Sequence, residues 1–153
     1  MTPTFKILFL DCDGVLNSQQ TFSRQYGESD PIDPEMIDRV RRIIAETGCK
    51  IVLSSTWRMN DKATRKVNSF IPIMGKTPYI PKLGGSEACE RGYEIKSWLN
   101  RQALKSDFVV SNYAILDDSN DMLDSQQPNF FKTDWMIGLD DYTTNKVIEF
   151  LNK

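Results

Sequence analysis

Short apolar runs alternate with amphipathic patterns along this chain, and that alternation limits its fold more than any other feature. Residues 6–10 (KILFL), 50–54 (KIVLS), 113–116 (YAIL) and the short run within 129–134 (NFFKTD) read as strands. Brief apolar runs bounded by turn residues mark strands buried on both faces. Between them lie helical patterns. In 33–48 (DPEMIDRVRRIIAETG), Asp33 suits the cap, Pro34 the first helical position and Gly48 the stop, while Met36, Ile37, Val40, Ile43 and Ile44 share one face. Residues 61–70, 90–104 and 140–153 predict three further helices. The second would turn Ile95, Trp98, Leu99 and Leu104 inward, and the third Tyr142, Val147, Ile148 and Leu151. Residues 17–33 read as irregular, and 71–86, with three prolines and three glycines, as a long loop. The predicted order is β-α-β-α-α-β-β-α. It implies an α/β, Rossmann-like three-layer sandwich around a mostly parallel sheet with right-handed crossovers. The 153 residues are read as a single domain, 1–153.

Two of these strands run straight into acids. The first ends in Asp11 and Asp13, followed by Gly14, and the third in Asp117 and Asp118. In such folds the site lies beyond the carboxyl ends of the strands, so both acidic tips would meet there. Alternation along an extended chain lets Asp11 and Asp13 point the same way. Converging carboxylates need a positive charge among them. All-oxygen ligands without histidine or paired cysteines favour Mg²⁺, whose shell is usually completed by a substrate phosphate.

Composition narrows the chemistry further. The chain has no histidine, which excludes His-based acid/base catalysis, Ser-His-Asp and Cys-His arrangements and His-ligated zinc. Cys12, Cys49 and Cys89 lack metal-ligand spacing and read as reduced thiols of a cytoplasmic protein. A formal net charge of -2 gives no global attraction to nucleic acid or anionic membrane. No apolar stretch approaches the ~18 residues of a membrane span, and the opening residues lack a signal-peptide core.

The ordered motifs resemble the haloacid dehalogenase (HAD) superfamily. FLDCDGVLN, KIVLSSTWR and YAILDDSND are similar to its motifs I, II and IV, in that order, and the resemblance runs from Lys6 to about Leu151. SSTWR, RGYEIKSWL and FFKTDWMIGLDD further resemble a small branch associated with Swiss-army-knife RNA-repair proteins. The resemblance implies a HAD-like fold and an Mg²⁺-dependent phosphatase working through an aspartyl-phosphate. By position it makes Asp11 the nucleophile and Asp13 the general acid/base, which must hold a proton part of the time. It assigns a phosphoryl-binding hydroxyl to Ser54, with Ser55 the alternative, and the motif III cation to Arg91, with Lys82 the fallback. Mg²⁺ would sit among Asp11, the backbone carbonyl of Asp13 and one acid of motif IV. Asp118 is favoured for that place and Asp117 for orienting the cation, with the reverse order open. Gly14 would let backbone N–H groups approach phosphate, and Arg58 would add a charged donor. Asp121 has a supporting role, Asn17 follows motif I without an evident duty, and Trp57 reads as packing.

Family members often carry a cap domain at one of two places, here residues 18–33 and 59–90. Neither segment is long enough for a sizeable folded cap, so the site is expected to be open. The substrate would then be a phosphorylated small molecule or nucleic-acid end. An end-processing phosphatase or repair-complex component predicts a basic groove, for which Arg58, Lys62, Arg65 and Lys66 are candidates. A non-catalytic phosphate- or metal-binding module is the third reading, disfavoured by the presence of Asp13.

Overall fold

A computed structural model describes residues 1–85 and 87–153. Its strands are β1 (Thr4–Leu10), β2 (Lys50–Leu53), β3 (Ile73–Lys76), β4 (Val109–Asp117) and β5 (Phe130–Lys132). They form one sheet in the order β3-β2-β1-β4-β5, and every neighbouring pair is parallel. The helices are α1 (Gln19–Arg24), α2 (Pro34–Thr47), α3 (Asp61–Phe70), α4 (Arg91–Lys105) and α5 (Asp141–Leu151). Asp33 caps α2 by accepting the Glu35 N–H at 2.9 Å, and Gly48 ends it in the left-handed conformation. Among the described residues no helix is long and apolar enough to cross a membrane.

The period-two alternation of β1 divides the core. Leu8 and Leu10 pack with Leu53 and Leu116 beneath residues of α2, α3 and α5. Ile7 and Phe9 pack with Val52, Ile115 and the α4 residues Ile95 and Trp98 on the opposite face. Residues 11, 54 and 117 continue the parity of Phe9, Val52 and Ile115, so they fall on the α4 side of the sheet. From β1 the chain builds outwards through β2 and β3, and α4 then returns it to the other side of β1 as β4. The strand order therefore reverses at β1, which is where ligands enter open parallel sheets. The Asp11 N–H donates to the Leu116 carbonyl at 3.0 Å and closes the β1–β4 ladder at that point.

Several elements depart from the sequence-based expectation. The segment 71–86 contains β3, an edge strand flanked by Pro72 and Pro78 and only half-buried; Ser86 lies outside the described residues. Within 59–90, β3 belongs to the sheet and α3 packs on the core, ahead of the loop after β3. The irregular segment 17–33 holds the short α1. Leu104 is 85% exposed rather than inward. It lies nine residues from Ile95, half a turn out of phase on a 3.6-residue helix, and Gln102 takes the buried position instead. Tyr142, 69% exposed, is likewise out of phase with the buried Thr144, Val147 and Leu151 of α5.

Candidate active site

Asp11 follows β1 directly, Asp117 ends β4, and Asp118 comes next. One carboxylate oxygen from each lies within 4.8 Å of the others. Arg91, the first residue of α4, reaches into this cluster. Its Nη1 donates to Asp11 Oδ1 and to Asp117 Oδ2, each at 2.9 Å. The other Asp117 oxygen accepts the Ser119 N–H at 2.9 Å. Both oxygens of the fully buried Asp117 are thus held by the protein, while Asp118 is half-buried.

One guanidinium among three acids leaves a deficit of positive charge. Burial, and then the charge of Asp117, push the Asp11 carboxyl well above its ordinary range despite Arg91. Burial raises Asp117 too, with Arg91 opposing. Arg91 is desolvated, but the two carboxylates more than compensate and strengthen its hold on its proton. A divalent cation would remove the deficit, and the donor set suits a hard ion with oxygen ligands. The space is already shaped around Asp118. Gly14 has φ +79°, and a Cβ built there would lie 2.2 Å from Asp118 Oδ2. The turn's backbone bonds from Val15 and Leu16 both end on the Cys12 carbonyl and do not use that of Asp13. These residues fit Mg²⁺.

Ser54 continues β2 beside β1, with its N–H on the Leu10 carbonyl at 2.9 Å. Its hydroxyl is buried and has no hydrogen-bond partner among the described residues. Thr77, just past β3 and bonded through its N–H to the Leu53 carbonyl, has a second such hydroxyl. Buried polar groups nearly always find partners, so each is suited to a ligand or a water. The Ser55 hydroxyl accepts the Trp57 N–H at 3.1 Å and caps the short turn Thr56–Met59.

Arg58 does not reach out as a phosphate donor. Its Nη2 pairs with Glu94 at 2.8 Å, the two side chains being 3% and 2% exposed, and its Nε and Nη1 donate to the carbonyls of Thr77 and Ser55. Lys82 lies near Glu87 on the loop after β3, so Arg91 is the cation at the acids. Of the remaining basic candidates, Lys66 donates to the carbonyls of Ser29 and Asp30, and Lys62 and Arg65 are exposed on α3.

Several contacts of the site leave no signal in the motifs themselves. The Asp13 carboxylate stands outside the three-acid cluster and is held at both oxygens. Trp57 Nε1 donates to Oδ2 at 3.2 Å, and Asn17 Nδ2 donates to Oδ1 at 3.1 Å. Asp121 anchors the start of α4, its Oδ2 accepting the Arg91 N–H and its carbonyl the Gly92 N–H. Although burial opposes it, hydrogen bonds from Ser119 and the Arg91 backbone keep Asp121 below the usual carboxylate range. Gly92 permits this approach: a Cβ there would lie 2.7 Å from the Leu123 nitrogen. The acid spaced four residues beyond Asp117 was the one available sequence signal for this anchor.

A family model described as "HAD domain in Swiss Army Knife RNA repair proteins" matches residues 7–144. No curated protein matches the chain.

Proposed function

The chain belongs to the family of HAD domains in Swiss Army Knife RNA repair proteins, and on that footing we propose that it is an Mg²⁺-dependent phosphatase acting through Asp11. The observation that carries this reading is the convergence of Asp11, Asp117 and Asp118 at the strand-order reversal, with the first two paired to one guanidinium. Asp11 and Asp118, with the Asp13 carbonyl, would hold the ion, and Asp117 would hold Arg91. Bound there, Mg²⁺ supplies neutralising charge for the phosphoryl oxygens and for Asp11.

The chain's own residues then divide the work. An Asp11 oxygen attacks phosphorus, the bond to the leaving oxygen breaks, and an aspartyl-phosphate forms. Asp13 gives its proton to the departing oxygen and afterwards takes one from the water that releases phosphate, restoring both groups. Ser54 Oγ, without a hydrogen-bond partner among the described residues, donates to a phosphoryl oxygen. Arg91 fixes the unreactive Asp11 oxygen. Next to Asp118 a cleft of about 490 Å³, lined in part by Lys132, Thr133 and Trp135, offers room for the rest of the substrate.

The test is release of inorganic phosphate from an aryl phosphate, with Mg²⁺ and with EDTA. Turnover that requires Mg²⁺ is expected. No turnover despite Mg²⁺ binding would instead match a non-catalytic metal- or phosphate-binding module. A phosphorylated nucleic-acid end as substrate is favoured by the family's description, which names RNA repair. A higher kcat/KM on phosphate-ended oligonucleotides than on the matching mononucleotides is its expected signature.

A further inference from the structure

We infer that Trp57 is a positioning residue for the acid/base action of Asp13. The inference rests on the reading of Asp13 just given. Asp13 lies in the turn after β1, beyond the ladder, so nothing in the sheet sets its side chain. Its carboxylate is nevertheless clamped by neutral donors from two separate segments, the Trp57 indole at Oδ2 and the Asn17 amide at Oδ1. Both donors are themselves buried and hydrogen-bonded. Asn17 is fully buried, accepts the Gly14 N–H at 2.9 Å and also donates to the Pro31 carbonyl at 2.9 Å. Trp57 is 6% exposed; its N–H is on Ser55 Oγ, and its carbonyl accepts from Asn60 and from Thr64 Oγ1.

The chemistry of the indole gives the contact its meaning. An indole N–H donates and does nothing else, so it neither stores nor relays a proton. What it sets is where the carboxyl group sits. Asp13 has to serve two oxygens in turn, first the leaving group and then the attacking water, and displacement of such a group by about 1 Å is enough to lose ~10²-fold in rate. Trp57 follows Ser54 and Ser55 by only a few residues. The segment that supplies the phosphoryl-binding hydroxyl therefore also supplies the orienting donor.

A packing role alone makes a different prediction, and the leaving group separates the two. An alkyl phosphate departs only with protonation, whereas dinitrophenyl phosphate departs without it. The comparison uses kcat/KM, which reports the steps up to formation of the aspartyl-phosphate, for both substrates in saturating Mg²⁺. Trp57→Phe is expected to lower the alkyl value by on the order of 10- to 100-fold and the dinitrophenyl value by less than about 3-fold. Equal losses on both substrates, or no loss on either, would overturn the inference. Should Trp57→Phe fold poorly, replacement of Trp57 by 3-benzothienylalanine removes only the N–H, and the same selective loss is expected. Asp13→Asn is measured alongside. If it lacks the leaving-group selectivity, the acid/base reading itself falls. If it has the selectivity and the Trp57 variants do not, only the positioning role falls.

Discussion

Asp11→Asn is expected to reduce phosphate release by ~10⁴-fold or more while leaving the metal-free fold at least as stable as wild type. The first half follows from chemistry: an amide does not form the acyl phosphate. The second half follows from the charge deficit. Asp11 is 5% exposed, shares Arg91 with Asp117, and its carboxyl is pushed well above the usual range by burial and by that neighbour. A carboxyl whose pKa is higher in the fold than in the unfolded chain binds more protons when folded. Its stabilising contribution is complete below the unfolded value and is lost as pH rises through the folded one. Wild-type protein in EDTA should therefore lose stability over that interval as pH rises, and Asp11→Asn should lose less. Urea unfolding across the acid range, paired with phosphate release, reads both halves. Parallel pH profiles for the two proteins would contradict the electrostatic account.

The second large effect is expected at a buried ion pair outside the acid cluster. Glu94→Leu should lower stability by about 3–5 kcal/mol, because it strands the buried guanidinium of Arg58. For a chain of this size that corresponds to a fall in Tm of roughly 6–20 °C. Burial already lowers the Arg58 pKa, and Glu94 is what holds it up. The pair joins the turn after β2 to α4, one helical turn beyond Arg91, and Glu94 also accepts the Ile80 N–H at 3.0 Å. Arg58→Met combined with Glu94→Leu should recover most of the loss, since a well-packed apolar pair replaces a stranded ion. A double variant as unstable as the sum of the singles would show that the two residues act independently.

What sequence made legible, and what it did not, follows from the range of each interaction. Local signals located β1, α2 and β4: apolar periodicity, the Asp33 cap, the Gly48 stop, and acids at the strand ends. β3 was hidden because a short, half-exposed edge strand between two prolines resembles a loop. Leu104 and Tyr142 are apolar but lie about half a turn out of phase with the buried face of their helices, so apolar character alone points them the wrong way. In the site, acids at the ends of two strands marked Asp11, Asp117 and Asp118 as neighbours. The Arg58–Glu94 pair and the Trp57–Asp13 contact, 36 and 44 positions apart, leave no pattern in a single chain. Arg58 thus read as a free phosphate donor and Trp57 as packing alone.

The central proposition is that a cation among the strand-end acids makes Asp11 able to accept a phosphoryl group. Its most direct measurement uses the Asp13→Asn variant, in which hydrolysis of the adduct is slowed, mixed with dinitrophenyl phosphate, acid-quenched and analysed by peptide mass spectrometry. A phosphoryl group on Asp11 that forms in Mg²⁺ and not in EDTA is the expected result. An unmodified Asp11 in Mg²⁺, or a phosphoryl group found on a different residue, would contradict it.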